Sequence, residues 1–327
     1  MRFGIKICVI IRGMKIVFIG TPEFGAIVLE RLCQSNFKPV LVITAPDKPV
    51  GRKQIIVPPP VKIVSEKYNI PVLQPEKITE TKKELEKISP DLIVLTAYGK
   101  ILPKDILSIP KYGCLNIHPS LLPKYRGASP IQTAILNGDK KTGITIILMV
   151  EKMDEGPVLT SKKYKIETNV TYKELEKELA KLGGKALVET ILKWIKKRIK
   201  PKPQDNSKAV YTKILTREDG VVDWKKPAEF IERQVRAFNP WPGTFCNYQQ
   251  IEKPQKMKIL EANVLKQTKH GPFGPPGKTF LAPDDKIAVQ TGKDFLIITM
   301  LQPEGKKPMS SADFLRGHWD FIGIIFY

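Results

Sequence analysis

"KIVFIGTPEFGAIVLERLCQS", Lys15 to Ser35, carries two periodicities in succession. "KIVFIG" is an unbroken apolar run, and "FGAIVLERLCQS" then spaces its apolar residues at helical intervals. A strand without polar alternation is covered on both faces, and a helix directly after it begins a βα unit. The alternation continues: "PVLVITA" reads as a second buried strand, "VKIVSEKYN" as a short helix, "IPVLQP" as a third strand and "TKKELEKIS" as a helix. "DLIVLTAYG", "CLNIHP", a helix near "SPIQTAILNG" and the strand "TGITIILMV" follow. Residues 14–200 are therefore expected to form a doubly wound, mainly parallel α/β domain of Rossmann-like type, with ligands outside the carboxyl ends of its strands.

"TYKELEKELAKLGGKALVETILKWIKKRIK" closes that domain. Thr171 and Glu174 form a capping box, and Leu175, Leu179, Leu182, Leu187 and Ile191 share one helical stripe. Residues 201–216 begin with the Pro-rich, polar "PKPQDNSKA", lack apolar periodicity and read as a basic linker. Beyond it, the helix "PAEFIERQVRAF" leads to the corner "NPWPGTF" and to short β-rich runs, "KMKILEANVLK", "KTFLA", "KIAVQTG" and "DFLIITMLQP". Short strands with frequent turns predict a smaller C-terminal β-barrel, OB-like, over residues 217–327. Residues 1–13 read as an extension before Met14, too brief for a secretory signal and without a small-residue cleavage site.

Composition narrows the function classes. The 327 residues are 42% apolar and 27% charged, as in a folded soluble protein. A formal charge of +21 fits either simple solubility or a polyanionic partner. No apolar run approaches the roughly 20 residues of a membrane helix. Cys8, Cys33, Cys114 and Cys246 stand far apart, with no CxxC pair and no Cys/His cluster, so a reducing, cytoplasmic setting without a bound metal is expected. "GTPEFG" is not a dinucleotide fingerprint, since Pro22 stands where the second glycine belongs, which argues against an NAD-dependent oxidoreductase.

The chemistry concentrates in "LNIHPSLLPKYRGASPIQ", Leu115 to Gln132. Asn116 and His118 lie two apart on a strand and so point to one side near its carboxyl end. Asp154, in "EKMDEGPV" after the next strand, can bring a carboxylate to the same rim. Asn, His and Asp together suit acyl transfer to an amine: an oxyanion needs preorganised donors such as the carboxamide and an imidazole N–H, and the amine must lose a proton. No Ser or Cys nucleophile sits in a recognisable elbow, which favours direct transfer. "SLLPKYRGASPIQ" offers flat apolar surface and backbone donors and acceptors able to read a planar heterocycle such as a pterin.

These motifs resemble the signature of the folate-dependent formyltransferases, "LNIHPSLLPKYRGASPIQ" followed by "MDEGPVL". "KIVFIGTPEFG", "PDKPVGR", "VLQPEKI", "AYGKILP", "GDKKTGITI", "FNPWPGTF" and "PEGKKPMS" with "FLRG" keep the family order from Met14 to Gly317. The resemblance implies formyl transfer from 10-formyltetrahydrofolate to the amino group of methionine on initiator tRNA by a monomeric enzyme. Asn116, His118 and Asp154 match the catalytic trio, and Ser120, Leu121, Leu122 and Pro123 match the folate-contacting loop. Lys48, Arg52 and Lys53 fall in the loop that enters the tRNA acceptor end, and Lys197 near the linker offers a further phosphate contact. Phe24 is expected to line the methionine pocket. The loop lacks the second glycine that often follows "GR" in relatives, and the ending "GHWDFIGIIFY" has no counterpart among the motifs. The rival readings are a sister formyltransferase or hydrolase acting on a sugar nucleotide or on formyl-folate, and a non-catalytic RNA-binding protein.

Overall fold

The computed structural model describes residues 13–51, 53–249, 254–266 and 274–327. Arg52, expected to contact tRNA, and the extension before Gly13 lie outside the described residues. The chain divides into two compact units, the first running through Pro130 and taking in Lys141–Ile166 and Glu174–Lys213, the second holding Ile131–Lys140, Glu167–Lys173 and Ile214–Tyr327.

The first unit contains β1 (Ile16–Gly20), β2 (Leu41–Ile43), β3 (Lys48–Val50), β4 (Ile55–Val57), β5 (Val72–Leu73), β6 (Leu92–Thr96), β7 (Cys114–His118), β8 (Arg126–Gly127), β9 (Lys141–Leu148), β10 (Val158–Lys165) and β11 (Tyr211–Thr212). Seven of these form one sheet in the order β10-β9-β7-β6-β1-β2-β5. Strand order reverses at β1, which pairs in parallel with β6 on one side and β2 on the other, the doubly wound arrangement. Val17, Ile19, Leu41, Ile43, Ile93 and Leu95 join Ile78, Leu85 and Ile106 in one buried cluster. The alternate residues Ile16, Phe18, Val42, Leu92 and Val94 are buried on the other face, which is why the strands read as continuous apolar runs. The helix Tyr172–Ile195 lies close against its neighbours through a glycine pair. A Cβ on Gly183 would stand 3.0 Å from Ile117 Cγ2, and one on Gly184 2.9 Å from Arg31 Cβ.

Two strands depart from the parallel pattern. β9 runs antiparallel to β7, and β10 antiparallel to β9. β10 has no counterpart in the sequence expectation, because only Leu159 is buried and Lys162, Lys163 and Lys165 are exposed. It is the sheet's edge, and lysines on an edge strand discourage pairing with another chain.

The second unit contains β12 (Thr244–Gln249), β13 (Pro254–Leu265), β14 (Thr279–Ala282), β15 (Lys286–Gln290), β16 (Phe295–Pro303) and β17 (Met309–Ser310). Its sheet is antiparallel, in the order β12-β13-β16-β15-β14, with β17 on β16. The final residues connect its two edges. Asn247 and Tyr327 exchange backbone hydrogen bonds of 2.8 and 2.9 Å on the β12 side, while Thr279 N–H donates to Ile324 O at 2.9 Å on the β14 side. The curled sheet is thereby closed into a small barrel around Val235, Met257, Ile259, Leu296, Ile298 and Leu301. Phe321 and Phe326, from the ending that matched no motif, plug this core.

Candidate active site

β7 changes character along its length. Cys114 belongs to the apolar cluster, while Asn116 and His118, on the same side by strand alternation, make a polar patch toward the carboxyl end. Both are buried, at 8% and 5% exposure. Burial pushes the Cys114 thiol up to about 12, so this strand offers no thiolate nucleophile near neutral pH.

Asp154 reaches them, by a route the strand pattern does not show. Because β9 is antiparallel, its end at Leu148 pairs with Leu115, and the connection to β10 must double back. Leu148 N–H donates to Pro157 O at 3.0 Å and closes the loop's base. Gly156 makes this possible, since a Cβ there would lie 1.9 Å from Leu148 O. Asp154 at the loop's tip has φ 54°. Its Oδ1 accepts from Asn116 Nδ2 at 3.2 Å and its Oδ2 from the Gly127 N–H at 2.8 Å. A carboxylate only accepts, so these contacts also fix which end of the Asn116 amide faces it.

His118 is oriented differently from the expected oxyanion donor. Its Nε2 lies 2.8 Å from Tyr125 O, and a carbonyl can only accept, so the Nε2 proton is engaged there. Nδ1 faces Asp154 Oδ1 at 3.6 Å. The open ring position is therefore a basic nitrogen beside a carboxylate, suited to taking a proton rather than donating one.

The loop Ser120–Pro123 follows, with a cis Leu122–Pro123 bond. Thr145 Oγ1 accepts from Leu122 N–H at 3.1 Å and donates to Ser120 O at 2.7 Å. Ser120 Oγ donates to Lys124 O at 2.6 Å, and Val210 N–H to Pro123 O at 3.2 Å. Leu122 N–H, Ser120 O and Pro123 O, three of the backbone groups offered for a pterin, are thus engaged inside the protein. What the loop presents is the half-buried apolar surface of Leu121, Leu122 and Pro123.

Phe24 does not line an open crevice. It is 2% exposed, and its ring tip lies 3.9 Å from where a Gly183 Cβ would stand, so it packs beneath the long helix. Lys48 and Lys53 are exposed on the β3–β4 hairpin, which turns at Gly51 with φ 72°. β4 exposes apolar side chains, Ile55 at 61% and Ile56 at 68%. At the hairpin's root, Asp47 accepts from Gln74 and Lys62 at 2.7 Å each, and these contacts hold its carboxyl below the usual range.

Lys197 is exposed and has φ 54°. Its N–H donates to Trp194 O at 2.9 Å and that of Arg198 to Lys193 O at 2.8 Å, the Schellman motif that ends a helix. Glycine suits this position better than lysine. Lys197→Gly should raise stability by about 1 kcal/mol in a denaturant melt. A lower stability would contradict the helix-end assignment.

Sequence reasoning missed Gln204, Asn206 and Tyr211, which lie in the stretch read as linker. β11 pairs in parallel with β8, and Val158 and Lys202 bridge, so residues 202–212 run alongside the Asp154 loop. No local signal marks them. Among the described residues no group of His, Cys, Asp and Glu is arranged to hold a metal ion, and no helix is long and apolar enough to cross a membrane.

A doubly wound sheet carrying Asn, His and Asp on one rim, followed by a β-barrel unit, matches one family along most of its length. The chain belongs to the formyl transferase family, with the Formyl transferase model matching residues 14–191 and the Formyl transferase, C-terminal domain model matching residues 214–319. Among its relatives, the methionyl-tRNA formyltransferase of Halalkalibacterium halodurans is 44% identical over 93% of this chain and 95% of that protein. Among solved structures, HypX from Aquifex aeolicus in complex with tetrahydrofolic acid shares the fold, with a TM-score of 0.62 at 18% identity over 94% of this chain. The chain spans about half the length of HypX, 47%. An N-formyltransferase from Helicobacter canadensis, solved with folinic acid and dTDP-3-aminofucose, has a TM-score of 0.62 at 21% identity over 87% of this chain and 98% of its own.

Proposed function

We propose that this formyltransferase moves the formyl group of 10-formyltetrahydrofolate onto the amino group of methionine carried by initiator tRNA, as a monomer in the cytoplasm. The observation that carries the reading is the 44% identity, over 93% of the chain, to a relative named for that acceptor. The trio supplies the chemistry. The methionyl nitrogen attacks the formyl carbon, and the resulting oxyanion takes a hydrogen bond from the second Asn116 amide hydrogen, the first being held by Asp154. His118 Nδ1 receives the proton lost by the amine, and the neighbouring Asp154 carboxylate stabilises the imidazolium. The C–N10 bond then breaks, N10 takes up a proton, and tetrahydrofolate leaves.

The apolar loop Leu121–Pro123 covers one side of the folate, and the barrel over residues 217–327 helps to hold tRNA. The β3–β4 hairpin reaches the acceptor end: Lys48, Arg52 and Lys53 neutralise phosphates, and exposed Ile55 and Ile56 pack against unpaired bases. If Lys197 also contacts a phosphate, Lys197→Gly lowers the salt slope of tRNA binding by about 1 despite its gain in stability.

Donor specificity tests the chemistry. With methionyl-tRNA saturating, 10-formyltetrahydrofolate should be converted to tetrahydrofolate in a one-to-one ratio with formylated product, whereas 5-formyltetrahydrofolate should yield none. Equal turnover of both donors would sink the proposal.

A further inference from the structure

Arg126 is among the largest fully buried side chains, at 1% exposure. A buried guanidinium is costly unless its donors are satisfied. Its Nε and Nη2 donate to Gln204 Oε1 at 3.2 and 2.9 Å, Nη2 also donates to Asn206 Oδ1 at 2.7 Å, and Nη1 donates to Tyr211 OH at 2.9 Å. Tyr211 OH passes its own hydrogen to Glu155 Oε1 at 3.0 Å, and Arg126 Nη1 lies 3.6 Å from that same carboxylate.

Gln204 is the pivotal member. Its oxygen faces the guanidinium, so both of its amide hydrogens face the other way, and they reach Asp154 O and Gly156 O at 2.7 Å each. Arg126 thereby decides which end of the amide meets the loop, because a guanidinium can only donate. Asp154 has a left-handed backbone that a non-glycine residue keeps only when its surroundings impose it. Gln204 holds the backbone of Asp154 and Gly127, the neighbour of Arg126 on β8, holds its carboxylate.

We propose that Gln204, oriented by Arg126, is a positioning residue for Asp154: the stretch 202–212 is a strap that sets the carboxylate against Asn116 and His118. The inference rests on Asp154 belonging to the catalytic trio. Its chemistry separates positioning from mere packing through one substitution. Gln204→Glu keeps, and adds charge to, the contact with Arg126, yet it replaces both donors to the Asp154 loop with acceptors. A strap that serves stability alone loses thermal stability with the change but leaves kcat and the His118 ring as they were.

The test measures steady-state kinetics, the thermal midpoint and the ring 15N shifts of His118 for Gln204→Glu, with Gln204→Ala as a second variant should the first fold poorly. The expected result is a fall in kcat of about 10- to 100-fold, little change in KM for donor or tRNA, and displaced His118 Nδ1 resonance, as Asp154 Oδ1 lies 3.6 Å away. Unchanged kcat with unchanged His118 shifts would overturn the proposal, whether or not the midpoint falls. Asp154→Asn run in parallel keeps the two claims apart. A normal rate in Asp154→Asn would remove Asp154 from the mechanism, while a His118 shift in Gln204→Glu would still support the strap as what places that carboxylate.

Discussion

Asn116→Ala is expected to lower the rate of formyl transfer by about 10²- to 10³-fold while leaving tRNA binding nearly intact, the loss that follows when one preorganised oxyanion donor is removed. The side chain is buried and its amide is held by Asp154, so it is oriented before substrate arrives. Such a donor contributes more in the transition state than to ground-state binding, which is why kcat falls and KM does not follow. His118→Ala and Asp154→Ala should each cause a comparable loss. Because Asp154 contacts both partners, a double variant should lose less than the product of the single losses. Single-turnover kinetics with preformed complex measures this directly. Near-normal rates in all three single variants would remove the trio from the mechanism.

Phe326→Ala is expected to destabilise the second unit by about 3–5 kcal/mol. Phe326 is 2% exposed, stacks on Trp224 with ring centroids 5.5 Å apart, and meets Phe321 at 5.4 Å and Tyr248 at 6.1 Å edge-on. Its truncation leaves a cavity where four aromatic rings meet, and it weakens the segment that joins the two edges of the barrel sheet. Urea melts followed by tryptophan fluorescence should show an earlier transition, with Trp224 reporting locally. A loss below 1 kcal/mol would mean that the closing segment is an accessory rather than part of the core.

Local pattern carried the βα alternation of the first unit, because β1 and β6 are buried on both faces and each is a continuous apolar run. Strand direction is a different kind of information. Nothing in "TGITIILMV" distinguishes a parallel from an antiparallel neighbour, and the edge strand β10 hides behind its lysines. The trio was legible since Asn116 and His118 share a strand, whereas the doubling back that brings Asp154 to them depends on one close approach at Gly156. The strap was illegible for a plainer reason. Gln204, Asn206 and Tyr211 find their partner Arg126 78 to 85 residues away, and a polar segment whose anchoring side-chain hydrogen bonds are that distant looks like a linker. Phe24 shows the converse limit, as an apolar residue opening a helix reads the same whether it lines a pocket or fills a core.

Acceptor choice is the most direct test of the account. Purified protein supplied with 10-formyltetrahydrofolate is offered methionyl-tRNA and a dTDP-linked amino sugar together, and both products are quantified by mass spectrometry. The account predicts formyl-methionyl-tRNA alone, lost in Asn116→Ala; a formylated sugar nucleotide with unmodified methionyl-tRNA would contradict it.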